Sequence, residues 1–153
     1  MSFIMKSLLK VLTLLTLSTF FITSCSTTPM TKESARGIPL ERVAKRALLV
    51  PQANYAQISF LRDSGIVGSA VYSSLFVDGE RFAELDHGEL LTIWLEPGIH
   101  TISVNMAGEK DFPKQPNDLI RSIEIDAKSE RVYNFRIGWS LGQYVFEASS
   151  SPK

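Results

Sequence analysis

The stretch Ala70-Val71-Tyr72-Ser73-Ser74-Leu75-Phe76-Val77-Asp78-Gly79-Glu80-Arg81-Phe82-Ala83-Glu84-Leu85 decides the fold. Two runs rich in aromatic and branched residues meet at Asp78-Gly79. Both turn residues tolerate the positive φ of a two-residue hairpin, so strands are predicted over about 70–77 and 81–85. Upstream, Ala56, Ile58 and Phe60 alternate with Gln57 and Ser59, which predicts another strand before the loop Asp63-Ser64-Gly65-Ile66-Val67-Gly68. Downstream, Asp86-His87-Gly88 reads as a turn. After it, Leu91, Ile93 and Leu95 share one strand face, and Glu96-Pro97-Gly98 reverses the chain. The next strand sets His100, Ile102, Val104 and Met106 against Thr101, Ser103 and Asn105. A polar loop over 107–118 leads to Ile123 and Ile125. A turn at Ala127-Lys128-Ser129-Glu130 precedes the alternation of Tyr133, Phe135 and Ile137, and a last strand spans about Gln143 to Glu147. Seven to eight short strands over residues 53–148, with no helical pattern between them, point to a mostly β fold, an antiparallel β-sandwich arranged as a meander.

Composition narrows the class. The chain has 153 residues, 16 basic and 16 acidic side chains, two histidines and one cysteine. That length suits one domain and excludes a large multidomain enzyme. Zero net charge argues against nucleic acid as a partner, and one cysteine forms neither a disulfide framework nor a cysteine zinc cluster. The charge is unevenly placed. Lys6 and Lys10 are the only charged groups before residue 25, which leaves the rest of the chain at net −2.

That first segment has the layout of a secretory signal: two lysines, then an uncharged run from Val11 to Ser24. The run is shorter than the ~20 apolar residues that cross a bilayer. Ile22-Thr23-Ser24-Cys25 resembles the lipobox of bacterial lipoproteins, an aliphatic residue and two small residues before a cysteine that is lipidated and becomes the new amino terminus. The thiol supplies the thioether, and several acyl chains at ~0.8 kcal/mol per buried CH₂ make a lasting anchor. Residues 1–24 are thus expected to be a cleaved signal peptide and Cys25 the lipidation site. Ser26 stands where an aspartate would signal inner-membrane retention, so the expected location is the cell envelope, anchored in the outer membrane and facing the periplasm.

Residues 25–38 carry no hydrophobic periodicity and read as a lipidated Cys followed by a flexible tether, with a reach of roughly 40 Å when extended. Over 39–50, Leu40, Val43, Ala44, Ala47 and Leu48 fall at helical spacing between Pro39 and Pro51. A short amphipathic helix is predicted there, packed on the sandwich or on the membrane surface. Residues 149–153 read as a flexible tail.

Taken in order, Ala56-Gln57-Ile58-Ser59-Phe60-Leu61-Arg62, Val77-Asp78-Gly79-Glu80 and Leu95-Glu96-Pro97-Gly98-Ile99-His100-Thr101-Ile102 resemble the bacterial lipoprotein family catalogued as domain of unknown function 2846. The likeness covers roughly residues 53 to 147. It implies a β architecture and an envelope location and carries no activity with it.

Chemical motifs are sparse. Gly138-Trp139-Ser140-Leu141-Gly142 matches the G-x-S-x-G form of a nucleophile elbow, but no histidine follows His100 and no helix pattern follows Ser140, so a loop between strands is expected. His87 and His100, with Asp86 and Glu89 nearby, are read as turn and corner residues and not as metal ligands. No catalytic residue and no cofactor is expected. The contact residues suggested by sequence are Ile66 and Val67 in the loop 63–69, the long loop 107–118, and the aromatics Trp94, Phe112, Trp139 and Tyr144 as a platform for sugar or peptide. The function expected is that of a non-enzymatic envelope lipoprotein whose sandwich binds or assembles with an envelope protein or cell-wall glycan. Two alternatives stand beside it, an accessory subunit of a secretion or envelope-maintenance complex and an envelope hydrolase using Asp or Glu residues.

Overall fold

The computed structural model describes residues 27–65, 70–106 and 120–149. The expected signal peptide, the lipobox-like residues Ile22, Thr23 and Ser24, Cys25, Ile66, Val67, Phe112 and residues 150–153 lie outside them.

Among the described residues, nine strands form two sheets. Their ranges are β1 Arg36–Gly37, β2 Ala56–Arg62, β3 Ser73–Val77, β4 Glu80–Leu85, β5 Glu89–Leu95, β6 Gly98–Asn105, β7 Ile120–Ala127, β8 Val132–Ser140 and β9 Gln143–Ala148. One sheet has the order β1-β5-β2-β8-β9 and the other β4-β3-β6-β7. The β-sandwich expected from the alternation is the architecture observed. Ala56, Ile58, Phe60, Leu91, Ile93, Phe135 and Ile137 of the first sheet, with Leu75, Phe82, Ile102 and Val104 of the second, are buried between the layers. Phe60 centres the core, its ring 5.8 Å from those of both Phe82 and Phe135.

Connectivity departs from a meander. The β3–β4 hairpin turns at Asp78 and Gly79, with φ of 52° and 80°, and the β8–β9 hairpin turns at Leu141 and Gly142, with φ of 51° and 77°. The turns at 86–88 and 96–98 are corners instead, carrying the chain from β4 to β5 and from β5 to β6 across the two layers. Two pairings are parallel: β1 runs with β5, and β2 runs with β8 from Gln57↔Val132 to Arg62↔Ile137. Parallel pairing of β2 and β8 follows because β8 enters the sheet from the end opposite to the one where β2 leaves it. Period-2 alternation reports which face a residue takes and says nothing about strand direction.

The two segments before β2 correct the sequence reading. Over 39–50 there is no α-helix, only two 3₁₀ turns, Leu40–Arg42 and Arg46–Leu49. Val43 between them is extended and buried, bridging Ala83 of β4, and the Ala44 amide donates to Phe82 O at 2.8 Å. Pairing with the open edge of β4 satisfies those backbone groups better than a short isolated helix would. The expected flexible tether is likewise held from Thr27 onward. Thr27 is buried, Thr28 bridges Ser64, and Arg36 and Gly37 pair with β5.

Strand directions give the sandwich two distinct ends. One carries the connection after Arg62, the 86–88 corner, the starts of β3 and β7 and the Leu141-Gly142 tip. The other carries Tyr55, the Asp78-Gly79 tip, the 96–98 corner and the 128–131 turn.

Candidate functional site

At the Asp78 end lies a cleft of about 310 Å³, between the end of β5, the β3–β4 hairpin and the 3₁₀ turn at 46–49. Leu48, Val77 and Trp94 supply apolar lining. Trp94 reaches it because residues 91, 93 and 95 of β5 point inward, which turns residue 94 outward beside Gln57. The volume is at the lower limit of small-molecule pockets, roughly 300 Å³.

Polar groups around this lining are cross-braced. Tyr55 donates its hydroxyl to Glu96 Oε1 at 2.7 Å, and this hydrogen bond holds the phenol above its usual pKa. His100 lies with Nδ1 2.7 Å from Asp78 Oδ2 and Nε2 3.0 Å from the Glu96 carbonyl. Both contacts fix the orientation of the ring between the hairpin tip and the 96–98 corner. Asp78 Oδ1 also accepts from the Thr101 amide at 2.9 Å. Lys45 and Glu80 form an ion pair at the rim. The cleft presents an indole and oriented hydrogen-bonding groups.

The opposite end holds a second constellation, which ties the amino-terminal strap to the sheet. Asp63, just past β2, is 1% exposed. Its carboxylate accepts from Arg136 Nε at 2.8 Å, from the Thr27 hydroxyl at 3.2 Å and from the Met30 amide at 3.2 Å. Arg136 also bonds Glu147 at 3.1 Å, and its guanidinium pKa is raised, first of all by Asp63. Gly138 is the position that admits the strap. A Cβ there would stand 2.6 Å from Asp63 Oδ2 and 2.8 Å from Thr27 Oγ1.

Among the described residues, Trp94, Trp139 and Tyr144 do not come together as one platform, and Phe112 lies outside them. Tyr144 is buried, 3.1 Å from Ser73 Oγ through its hydroxyl, and burial pushes its pKa up to about 12. Trp139 packs its ring against the core, 6.0 Å from the ring of Tyr144. Trp94 is on the outer face at the other end. Across β2 it aligns with Val132, seven positions before Trp139 on β8, roughly 23 Å at 3.3 Å per residue. Ser140 ends β8 and pairs with Gln143 across a two-residue turn, so the G-x-S-x-G run is a hairpin, as its context suggested.

The chain matches no family model and no curated protein. What can be said of the site therefore rests on its own geometry. Sequence reasoning placed Trp94 in a candidate surface but missed Tyr55, Asp78 and Glu96 as its neighbours, since they come from three separate turns. It also missed Thr27, Asp63, Arg136 and Gly138. One signal for the last was available: a glycine inside a strand often marks close approach of another segment.

Proposed function

We propose that this protein is a lipid-anchored bacterial envelope lipoprotein, without enzymatic activity, whose β-sandwich is a binding module that takes a cell-wall saccharide in the Trp94 cleft. The observation that carries the reading is the cleft itself, an indole ringed by carboxylates whose hydrogen-bond partners are already fixed. Sugar rings present an apolar C–H face to an aromatic ring and hydroxyls to flanking carboxylates. The anchor rests on the lipobox ending at Cys25 and on the resemblance to an envelope lipoprotein family.

Titrating soluble peptidoglycan fragments into the isotope-labelled protein tests the binding site. The expected result is saturable movement of the Trp94 indole signal together with the Val77 and Glu96 amide signals, the amide movements lost in Trp94→Ala, with the fragments recovered intact. Cleavage of the fragments would replace this reading with that of a hydrolase. No movement, together with chemical cross-linking from this cleft to one stoichiometric envelope protein, would favour an accessory subunit. Metabolic labelling with palmitate tests the anchor, and label persisting in Cys25→Ala would sink it.

A further inference from the structure

We infer that the Leu141-Gly142 end of the sandwich lies against the surface of the bilayer that holds the anchor, with the Leu141 side chain in the interfacial layer and the Trp94 cleft facing away. The inference rests on the proposed lipidation of Cys25 and goes beyond it by fixing distance and orientation.

The distance comes from the strap. Thr27 is pinned to β8 by its amide to Trp139 O at 3.1 Å and by the Trp139 amide to its hydroxyl at 3.0 Å. Thr28 and Ser64 exchange backbone hydrogen bonds of 2.6 and 3.2 Å. Cys25 is two residues upstream, so whatever path the chain takes, at most ~7 Å separates its Cα from that of Thr27. Headgroup layers are about 5–7 Å thick on each side of the hydrocarbon. A spacer that short leaves no room for the domain to stand off the membrane.

The orientation comes from where the strap is pinned. Trp139 and Ser64 are both at the end that carries the Leu141-Gly142 tip, and Trp139 is two residues from Leu141. Anchoring there turns this end to the lipid and the Asp78 end, with its cleft, toward the aqueous side.

Leu141 supplies an independent observation. It is 86% exposed, more than any other large hydrophobic residue described. It also holds φ of 51° at the first turn position, where Asn or Asp is at ease and leucine is strained. A strained, solvent-facing leucine is poor choice for an aqueous turn; beside a lipid anchor it meets the interfacial layer. Tyr72 and Ile120 are exposed at this same end, while Ile99 and Val132 are exposed at the other, so the orientation is fixed by where the strap is pinned and by Leu141, not by the number of apolar residues at each end.

The test uses the mature acylated protein in nanodiscs of phosphatidylethanolamine and phosphatidylglycerol, a fraction of which carries a headgroup nitroxide. The expected result is loss of the Ser64 and Gly142 amide signals by paramagnetic broadening, with those of Gly79 and Gly98 retained. In Leu141→Asp, the Gly142 signal should recover much of its intensity. Mass spectrometry of the same sample separates the two readings. An unmodified Cys25 would remove both the anchor and this inference. An acylated Cys25 with Gly142 and Gly79 equally affected, or equally unaffected, would overturn the orientation and leave the anchor standing. Gly142 signals that respond to protein concentration and not to nitroxide would assign the tip to a second copy of the chain, and would equally overturn it.

Discussion

Thr27 and Trp139, 112 positions apart, hold each other through backbone and side chain together: each amide donates to the other residue, and the Thr27 hydroxyl also lies 3.1 Å from Trp139 O. The strap that follows the predicted lipid anchor is thereby part of the sandwich.

Thr27→Val keeps the shape of the side chain and deletes its hydroxyl. The Trp139 amide then loses its acceptor and Asp63 one of its donors, both in a buried setting, so a loss of about 1–3 kcal/mol is expected. Urea unfolding measures it, and Thr27→Ser should restore most of the stability. Equal losses in the two variants would mean that packing, not the hydroxyl, holds the strap.

Gly138→Ala puts a methyl group where Asp63 Oδ2 and Thr27 Oγ1 already stand. Overfilling of this kind costs about 1–3 kcal/mol. Because the strap is held by a few hydrogen bonds and β2 and β8 by full ladders, hydrogen exchange at Thr27 and Thr28 should quicken more than exchange in β2 or β8. Uniform quickening across both sheets would contradict the assignment.

A hydrogen bond from His100 holds the Asp78 carboxyl below its usual pKa, against partial desolvation and with help from the Thr101 amide. A carboxyl depressed on folding stabilises the native state above its unfolded pKa, near 4, and that contribution disappears as pH falls through the lower folded value. Asp78→Asn retains a residue that accepts the left-handed backbone. It should be less stable than the parent at pH 7, with the gap in urea midpoint closing below about pH 4. A gap independent of pH would show that charge has no part in it.

Leu141→Asn places at the hairpin tip a residue suited to its φ. In detergent, away from a bilayer, the variant should be more stable by up to about 1 kcal/mol, because the left-handed conformation is less costly for Asn than for Leu. A lower melting temperature than the parent would remove the strain argument for Leu141.

Much of the β-sheet content was legible in residue order. Alternation at Ala56, Ile58 and Phe60, at Leu91, Ile93 and Leu95, and at Phe135 and Ile137 tells inward from outward because successive side chains on a strand point oppositely. Asp78-Gly79 announces its hairpin through the φ values its residues tolerate. The resemblance of Ile22 to Cys25 to a lipobox, and the proposal built on it, also come from order alone. Helical spacing over 39–50 misled, since Val43 answers to the open edge of β4 and not to its neighbours in sequence. Tertiary structure alone decided that β2 and β8 run parallel, that Asp63 lies buried under Thr27, and that Tyr55, Asp78, Trp94 and Glu96 border one cleft. Local pattern records a side chain's preference for water or core, whereas these relationships depend on which distant backbone is brought alongside, and that choice is made by the packing of the two sheets as a whole.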